Sequence, residues 1–201
     1  MEKSRALVLA SGNPGKLKEY QVLAGGHALE LQLLSGYSAL PEFPEDAPTF
    51  GENAAGKALY YSRHCGELVF ADDSGLVVPA LGGAPGVQSA RYAGLGASSE
   101  QRNDKLLTAL NGKTGSERAA YFVCVIAVAL RGRCVAVVSG KVDGEILERP
   151  RGTGGFGYDP VFFFPPLGKA FAELSAEEKN RYSHRGVAFR RLMEVMEEEK
   201  T

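Results

Sequence analysis

Between Ala119 and Ile146 the chain reads AAYFVCVIAVAL-RGR-CVAVVSGKVDGEI, two long runs of strand-forming residues around a short polar turn. β-branched and aromatic side chains suit a pleated, half-buried surface, and two such runs joined by a glycine-containing turn pair as an antiparallel hairpin. What precedes the hairpin has a different rhythm. RALVLAS reads as a short buried-type strand, LELQLLS as a second and ELVFA as a third, with helical segments between them. Strands alternating with helices build a parallel sheet. A parallel start followed by a long ribbon gives an α/β fold: an elongated, mixed, twisted β-sheet flanked by helices, forming one domain over residues 1–201. A ribbon of that length can carry a second lobe, with a central cleft between two lobes.

Local signals divide the rest. Asn13 caps a helix that has Pro14 at its first position. Leu17, Tyr20, Val22 and Leu23 are expected on its apolar face, and Gly25-Gly26 stops it. Capping-box spacings at Thr49/Glu52 and Ser98/Gln101 open two more helices, the second ending at Gly112. A short capped helix begins at Ser175 and an amphipathic helix closes the chain. ALPEFPEDAP, with its prolines and acids, is an irregular loop. ELVFA runs straight into DDSG, whose aspartates point in opposite directions if the strand continues and diverge if it turns there, and GLVVPAL resumes as a strand.

The formal net charge is -1, so no global basic field points to nucleic acid or to an acidic membrane surface. No apolar run reaches the ~20 residues that span a bilayer. The opening segment's apolar core is too short for a signal peptide. Three cysteines without CxxC spacing form neither a disulfide framework nor a zinc site. All three are expected as small buried hydrophobes in a cytoplasmic protein.

The chemistry gathers in five stretches. SGNPGK, Ser11–Lys16, follows a strand and opens a helix. It lacks the spacing of the ATP-type phosphate loop, and Leu17 stands where that loop has a magnesium-holding hydroxyl. A helix start still offers free N–H groups and a positive dipole end to an anion. Ser11, Asn13 and Lys16 add polar reach. FADDSGL places Asp72 and Asp73 where an apolar run ends. A carboxylate there holds Mg²⁺ or activates water, and the sequence does not choose between the two. Glu42, between prolines, is a second acid for a cation. GTGGFGYDP combines Gly152, Gly154, Gly155 and Gly157 with Phe156 and Tyr158, flat faces for a base, and with the acceptor Asp159. EEKNRYSHRG gathers Lys179, Arg181, His184 and Arg185 around Ser183. Cations at a helix start oppose the helix dipole, and a bound anion explains them. Together these stretches suggest metal-assisted attack of water on a nucleotide phosphate.

In this order LASGNPGKLKEY, LPEF, TFGENAAGKA, ADDSGLVVPALGGAPGVQSARYAG, GTGGFGYDPVFF and LSAEEKNRYSHRG resemble the inosine triphosphate pyrophosphatase family, also called the Ham1 family, and its bacterial members most. The likeness spans about residues 6–192. It implies a Mg²⁺-dependent, usually homodimeric enzyme that cleaves ITP, dITP and XTP to monophosphate and pyrophosphate, cleansing the nucleotide pool. Carried over by position, Ser11, Gly12, Asn13, Pro14, Gly15 and Lys16 bind the triphosphate. Asp73 accepts the proton of the attacking water and shares the metal with Glu42. Ser74, Phe156, Gly157, Tyr158, Asp159, Lys179, His184 and Arg185 contact the rest of the nucleotide, with His184 and Arg185 expected as donors to the base edge.

Overall fold

The computed structural model describes residues 5–25, 27 and 29–198. Among the described residues seven strands form one sheet: β1 (Arg5–Leu9), β2 (Leu29–Leu33), β3 (Leu68–Val77), β4 (Ala119–Leu130), β5 (Arg133–Ile146), β6 (Phe162–Phe164) and β7 (Lys169–Ala170), in the order β2-β1-β3-β4-β5-β6-β7. The helices are α1 (Pro14–Ala24), α2 (Phe50–Tyr61), α3 (Ser99–Ala109), α4 (Ala176–Tyr182) and α5 (His184–Glu198). β1 pairs in parallel with both β2 and β3, while β6 pairs antiparallel with β5 and β7. The mixed sheet expected from the two rhythms of the chain is therefore present.

Its caps follow the sequence signals. Asn13 Oδ1 accepts from Gly15 and Lys16 N–H at the start of α1, with Pro14 in the first turn. Thr49, Ser98 and Ser175 cap α2, α3 and α4. At the hairpin tip Arg131 and Gly132 take φ of 50° and 77°, the left-handed pair that suits a tight turn between twisted strands.

β3 runs unbroken through DDSG, so no turn separates the two aspartates. Two expectations change. Val22 on α1 is exposed, and Ala24 takes the buried place beside Tyr20; Gly26 lies outside the described residues. Of the cysteines only Cys124 is buried, Cys134 being exposed and Cys65 half-buried. β4 places Cys124 in a core stripe, whereas Cys134 lies at the exposed start of β5.

The chain divides into two compact units. The first comprises Met1–Asp73, Cys124–Gly140 and Arg185–Thr201, the second Ser74–Val123 and Lys141–His184. Side chains on a strand alternate between faces, and in the first unit each face has its own core. Leu7, Leu9, Phe70, Cys124 and Ile126 pack with Tyr20 of α1 and with Ala188, Phe189, Leu192 and Met193 of α5. Val8, Ala10, Val69, Ala71, Ala127 and Ala129 pack with Ala54, Ala58 and Tyr61 of α2. In the second unit Phe122, Phe162, Phe164 and Phe171 form an aromatic core with Leu106 and Leu110 of α3. Among the described residues no helix is long and apolar enough to cross a membrane.

Candidate active site

β1 leads to β2 on one side and is flanked by β3 on the other, so the chain reverses direction across the sheet at the β1/β3 boundary. In open α/β sheets ligands bind beyond the carboxyl ends of the strands at such a boundary. Here that region holds the Ser11–Lys16 loop and the aspartates of β3.

Because β3 continues, Asp72 and Asp73 face opposite sides of the sheet. Asp72 shares the side of Phe70, towards α1 and α5. Its carboxylate has no solvent exposure and lies 3.0 Å from Lys16 Nζ and 3.7 Å from Arg185 Nε. Burial pushes its pKa up, but Lys16, Arg185 and Lys57 together outweigh burial and hold it below the ordinary carboxylate value. Asp73 shares the side of Ala71, towards α2, where Asn53 Nδ2 donates to Oδ2 at 2.9 Å. Burial raises Asp73 to about 6; the carboxylates of Glu45 and Asp72 push the same way, against Asn53 and Lys16. One residue of register thus separates a carboxylate locked between cations from one with the proton affinity of a general base at neutral pH.

The Ser11–Lys16 loop is placed at this boundary, but the groups expected to be free are engaged. Asn13 Oδ1 takes the N–H groups of Gly15 and Lys16, and Asn13 N–H donates to Ser11 Oγ at 3.2 Å. Lys16 Nζ, besides its ion pair, donates to the Asp72 carbonyl at 3.2 Å. Ser11, Gly12, Asn13 and Pro14 line a cavity of about 360 Å³ against Leu34, Gly36 and Tyr37.

Glu42 lies exposed in a loop without regular structure. Glu45 of the same loop pairs with Lys57, itself buried on α2. Sequence reading missed Asn53, Lys57 and Glu45. A signal was there: Asn53 and Lys57 sit four apart within the buried stripe Asn53, Ala54, Lys57, Ala58, Tyr61, and polar residues in such a stripe need a partner. The donors here are carboxylate oxygens, suited to a hard cation such as Mg²⁺. Burial, with a smaller push from Glu45 and Asp72, disfavours the ionised form of Asp73, a cost that a cation would relieve. Among the described residues no group of three or more acidic, histidine or cysteine side chains forms a complete metal cage.

In the second unit the glycine-aromatic loop is a folded staple. Asp159 is buried; its Oδ2 accepts from Phe156 N–H at 2.7 Å and from Lys179 Nζ at 2.6 Å. The same ammonium lies 4.7 Å from the Phe156 ring centroid. Gly155, at φ 71°, would place a Cβ 2.1 Å from Asp159 Oδ2, so the staple requires glycine. The Gly157 carbonyl accepts from Asn103 Nδ2 at 3.2 Å. Tyr158 is not a face for a base: it is 4% exposed, packed in the aromatic core, with its hydroxyl on the Ser89 carbonyl at 2.9 Å. The chain buries it because a tyrosine whose hydroxyl finds a carbonyl is a good core residue. Phe156 is half-buried and keeps an open flank.

His184 and Arg185, expected together at a base edge, have different surroundings. The His184 ring stacks on Phe122 at 4.7 Å and 11° in the second unit. Arg185, in the first, is 2% exposed; it pairs with Glu19 and Asp72 and lies over the Tyr20 ring. Ser74 is half-buried on β3.

Comparison with known proteins bears on the whole chain. The dITP/XTP pyrophosphatase of Geobacillus kaustophilus is 48% identical over 194 residues, covering 96% of this chain and 95% of that protein. A dITP/XTP pyrophosphatase of Thermus thermophilus is 47% identical over 195 residues, covering 97% and 93%. The solved structure of a HAM1 protein from Coxiella burnetii matches with a TM-score of 0.86 at 41% identity, over 96% of this chain and 99% of that one. The Staphylococcus aureus Ham1 protein gives 0.85 at 39%, over 97% and 100%. A family model described as the Ham1 family matches residues 7–195. Matches of this identity, extending through both units, leave one assignment: the chain belongs to the Ham1 family.

Proposed function

We propose that this protein is a nucleoside triphosphate pyrophosphatase that hydrolyses the deaminated purine nucleotides ITP, dITP and XTP to monophosphate and pyrophosphate, cleansing the nucleotide pool. The observation that carries the reading is the division of labour between Asp72 and Asp73. A carboxylate raised to about 6 beside a cation-locked one is a base poised for water. The printed names of the Geobacillus and Thermus relatives, dITP/XTP pyrophosphatase, support the substrate class.

In this reading Asp73 takes a proton from water as the water oxygen bonds to the α-phosphorus. The bond from that phosphorus to the α–β bridging oxygen breaks, and pyrophosphate leaves with the electron pair. Ser11 to Lys16 hold the phosphates, Lys16 exchanging its pairing with Asp72 for a phosphate oxygen. Glu42 and Asp73 would hold Mg²⁺, which when bound supplies charge neutralisation at the phosphates and acidifies bound water. Ser74, Phe156, Gly157, Lys179 and His184 contact the nucleoside side, Phe156 through its open flank. Tyr158 and Asp159 serve by shaping the loop. Arg185 reaches a ligand only by giving up part of its hold on Glu19 and Asp72. A site with donors aimed at a 6-oxo oxygen leaves them unpaired opposite the 6-amino group of adenine. A homodimer working in the cytoplasm completes the reading.

The test is a panel of dITP, ITP, XTP, dGTP, GTP and dATP, with Mg²⁺ and with chelator, in ¹⁸O-water. Expected are Mg²⁺-dependent pyrophosphate release, fastest from the deaminated purines, and label in the monophosphate. Orthophosphate as the product would place attack at the γ end and overturn the mechanism.

A further inference from the structure

We propose that Tyr61 is a positioning residue for the Glu42 carboxylate, and that the α2 face from Asn53 to Tyr61 mounts the acidic loop for a divalent cation. The inference rests on the metal reading of Glu42 and Asp73 given above. Residues 41–46 have no helix or strand, so no backbone ladder of their own fixes the place of Glu42.

α2 supplies the fixing at three levels. Near its C-terminus the Tyr61 hydroxyl accepts from Phe43 N–H at 3.2 Å and donates to the Pro41 carbonyl at 3.3 Å. One oxygen thus grips both neighbours of Glu42. Further back the Phe43 ring lies over Gly56, where a Cβ would stand 2.6 Å from the ring's Cζ, and against Tyr60 at 5.8 Å between centroids. Near the N-terminus Asn53 Oδ1 accepts from Ala47 N–H at 2.9 Å, while its Nδ2 donates to Asp73 at 2.9 Å. The helix that holds Asp73 therefore also holds the loop that carries Glu42, and both expected ligands are registered to one rigid element.

Packing alone accounts for neither feature. The Tyr61 ring is 1% exposed between Tyr37 and Tyr60, a space that phenylalanine would fill, so the hydroxyl needs its own reason. Glycine in the middle of a helix weakens the helix, and Gly56 is tolerated because the Phe43 ring occupies the space a side chain would take. An unanchored loop would lose its conformational freedom when the cation binds; an anchored one has lost it already.

The experiment titrates the metal-free full chain, as wild type, Tyr61→Phe and Gly56→Ala, with Mn²⁺ alone, the free ion being followed by electron paramagnetic resonance. Loss of a partner that orients a metal ligand weakens affinity by about ten-fold or more, and that loss is expected in Tyr61→Phe. Gly56→Ala loses at least as much, although its metal-free thermal midpoint does not fall in step, because alanine favours the helix. In Tyr61→Phe the Phe43 amide exchanges its hydrogen faster. In turnover the half-saturating Mg²⁺ concentration rises by a similar factor, while kcat at saturating Mg²⁺ changes about two-fold or less. Mn²⁺ affinity equal to wild type in both variants would overturn the positioning role and leave the metal reading standing. A wild type that takes up no Mn²⁺ would overturn both. Should Gly56→Ala fail to fold, Tyr61→Phe, which removes a single oxygen, decides alone.

Discussion

Replacing Asp73 by asparagine removes a carboxylate whose ionisation the fold opposes. Its pKa rises from 3.8 to about 6 on folding, so its contribution to stability is full below about pH 4 and is lost as the pH passes through 6. Above pH 7 the ionised form costs on the order of 2–3 kcal/mol. Metal-free Asp73→Asn is therefore expected to unfold at a higher temperature than wild type at pH 8, the difference vanishing near pH 4, while turnover with Mg²⁺ collapses. Calorimetry at the two pH values, with and without Mg²⁺, checks the sign; a variant less stable at pH 8 would show that Asp73 is held by partners. Asp72 behaves in the opposite way. Its lowered pKa gives stability that is present above the unfolded value and lost as the pH falls through the folded one. Asp72→Asn leaves Lys16 and Arg185 without the carboxylate between them and is expected to cost about 3–5 kcal/mol in urea unfolding at pH 7. Neighbouring residues with opposite stability signs make the pair a sensitive check on the β3 register.

At the scale of elements the informative pieces are those whose pattern and environment disagree. The Gly152–Asp159 loop looks open in sequence, rich in glycine and ready for a ligand. In the structure Asp159 closes it by accepting from Phe156 N–H and from Lys179 of α4, and Gly155 is needed for clearance and for its positive φ. Gly155→Ala is expected to destabilise by on the order of 2–4 kcal/mol, from left-handed strain and overpacking, with loss of activity. Thermal unfolding with a parallel assay reads both; an unchanged midpoint would mean that the staple is dispensable. The capped helices were legible, because a capping box is a local code: Thr49, Ser98 and Ser175 cap as their spacing implies. The unbroken β3 was not, because Asp-Asp-Ser-Gly has turn composition. Lys16 of α1 and Arg185 of α5 make Asp72 tolerable inside a strand, and Asn53 of α2 takes Asp73 on the other face.

At the scale of the molecule, the first unit draws on three separate stretches of chain, and α5 is the last of them. Phe189, Leu192, Met193 and Met196 fill the core that β1, β3 and β4 line on one face. Burying four such side chains is worth roughly 6–12 kcal/mol, against a net stability of about 5–15 kcal/mol for a typical domain. A chain ending at His184 is therefore expected to show no cooperative thermal transition and no near-ultraviolet circular dichroism. A sharp transition in that chain would mean that the strands find another cover.

Strand and helix rhythms, caps, the hairpin and the regions where chemistry gathers were determined by the sequence alone. Each rests on interactions within a few residues, or on a periodicity that any segment displays by itself. The tertiary structure alone decided which aspartate is locked and which is poised, that Arg185 serves Asp72, that Tyr158 belongs to the core, and that Asn53, Lys57 and Tyr61 organise the acidic loop. Those outcomes depend on burial and on charges brought together from distant parts of the chain. Desolvation and Coulomb energy exist only once the fold has excluded water and set the distances.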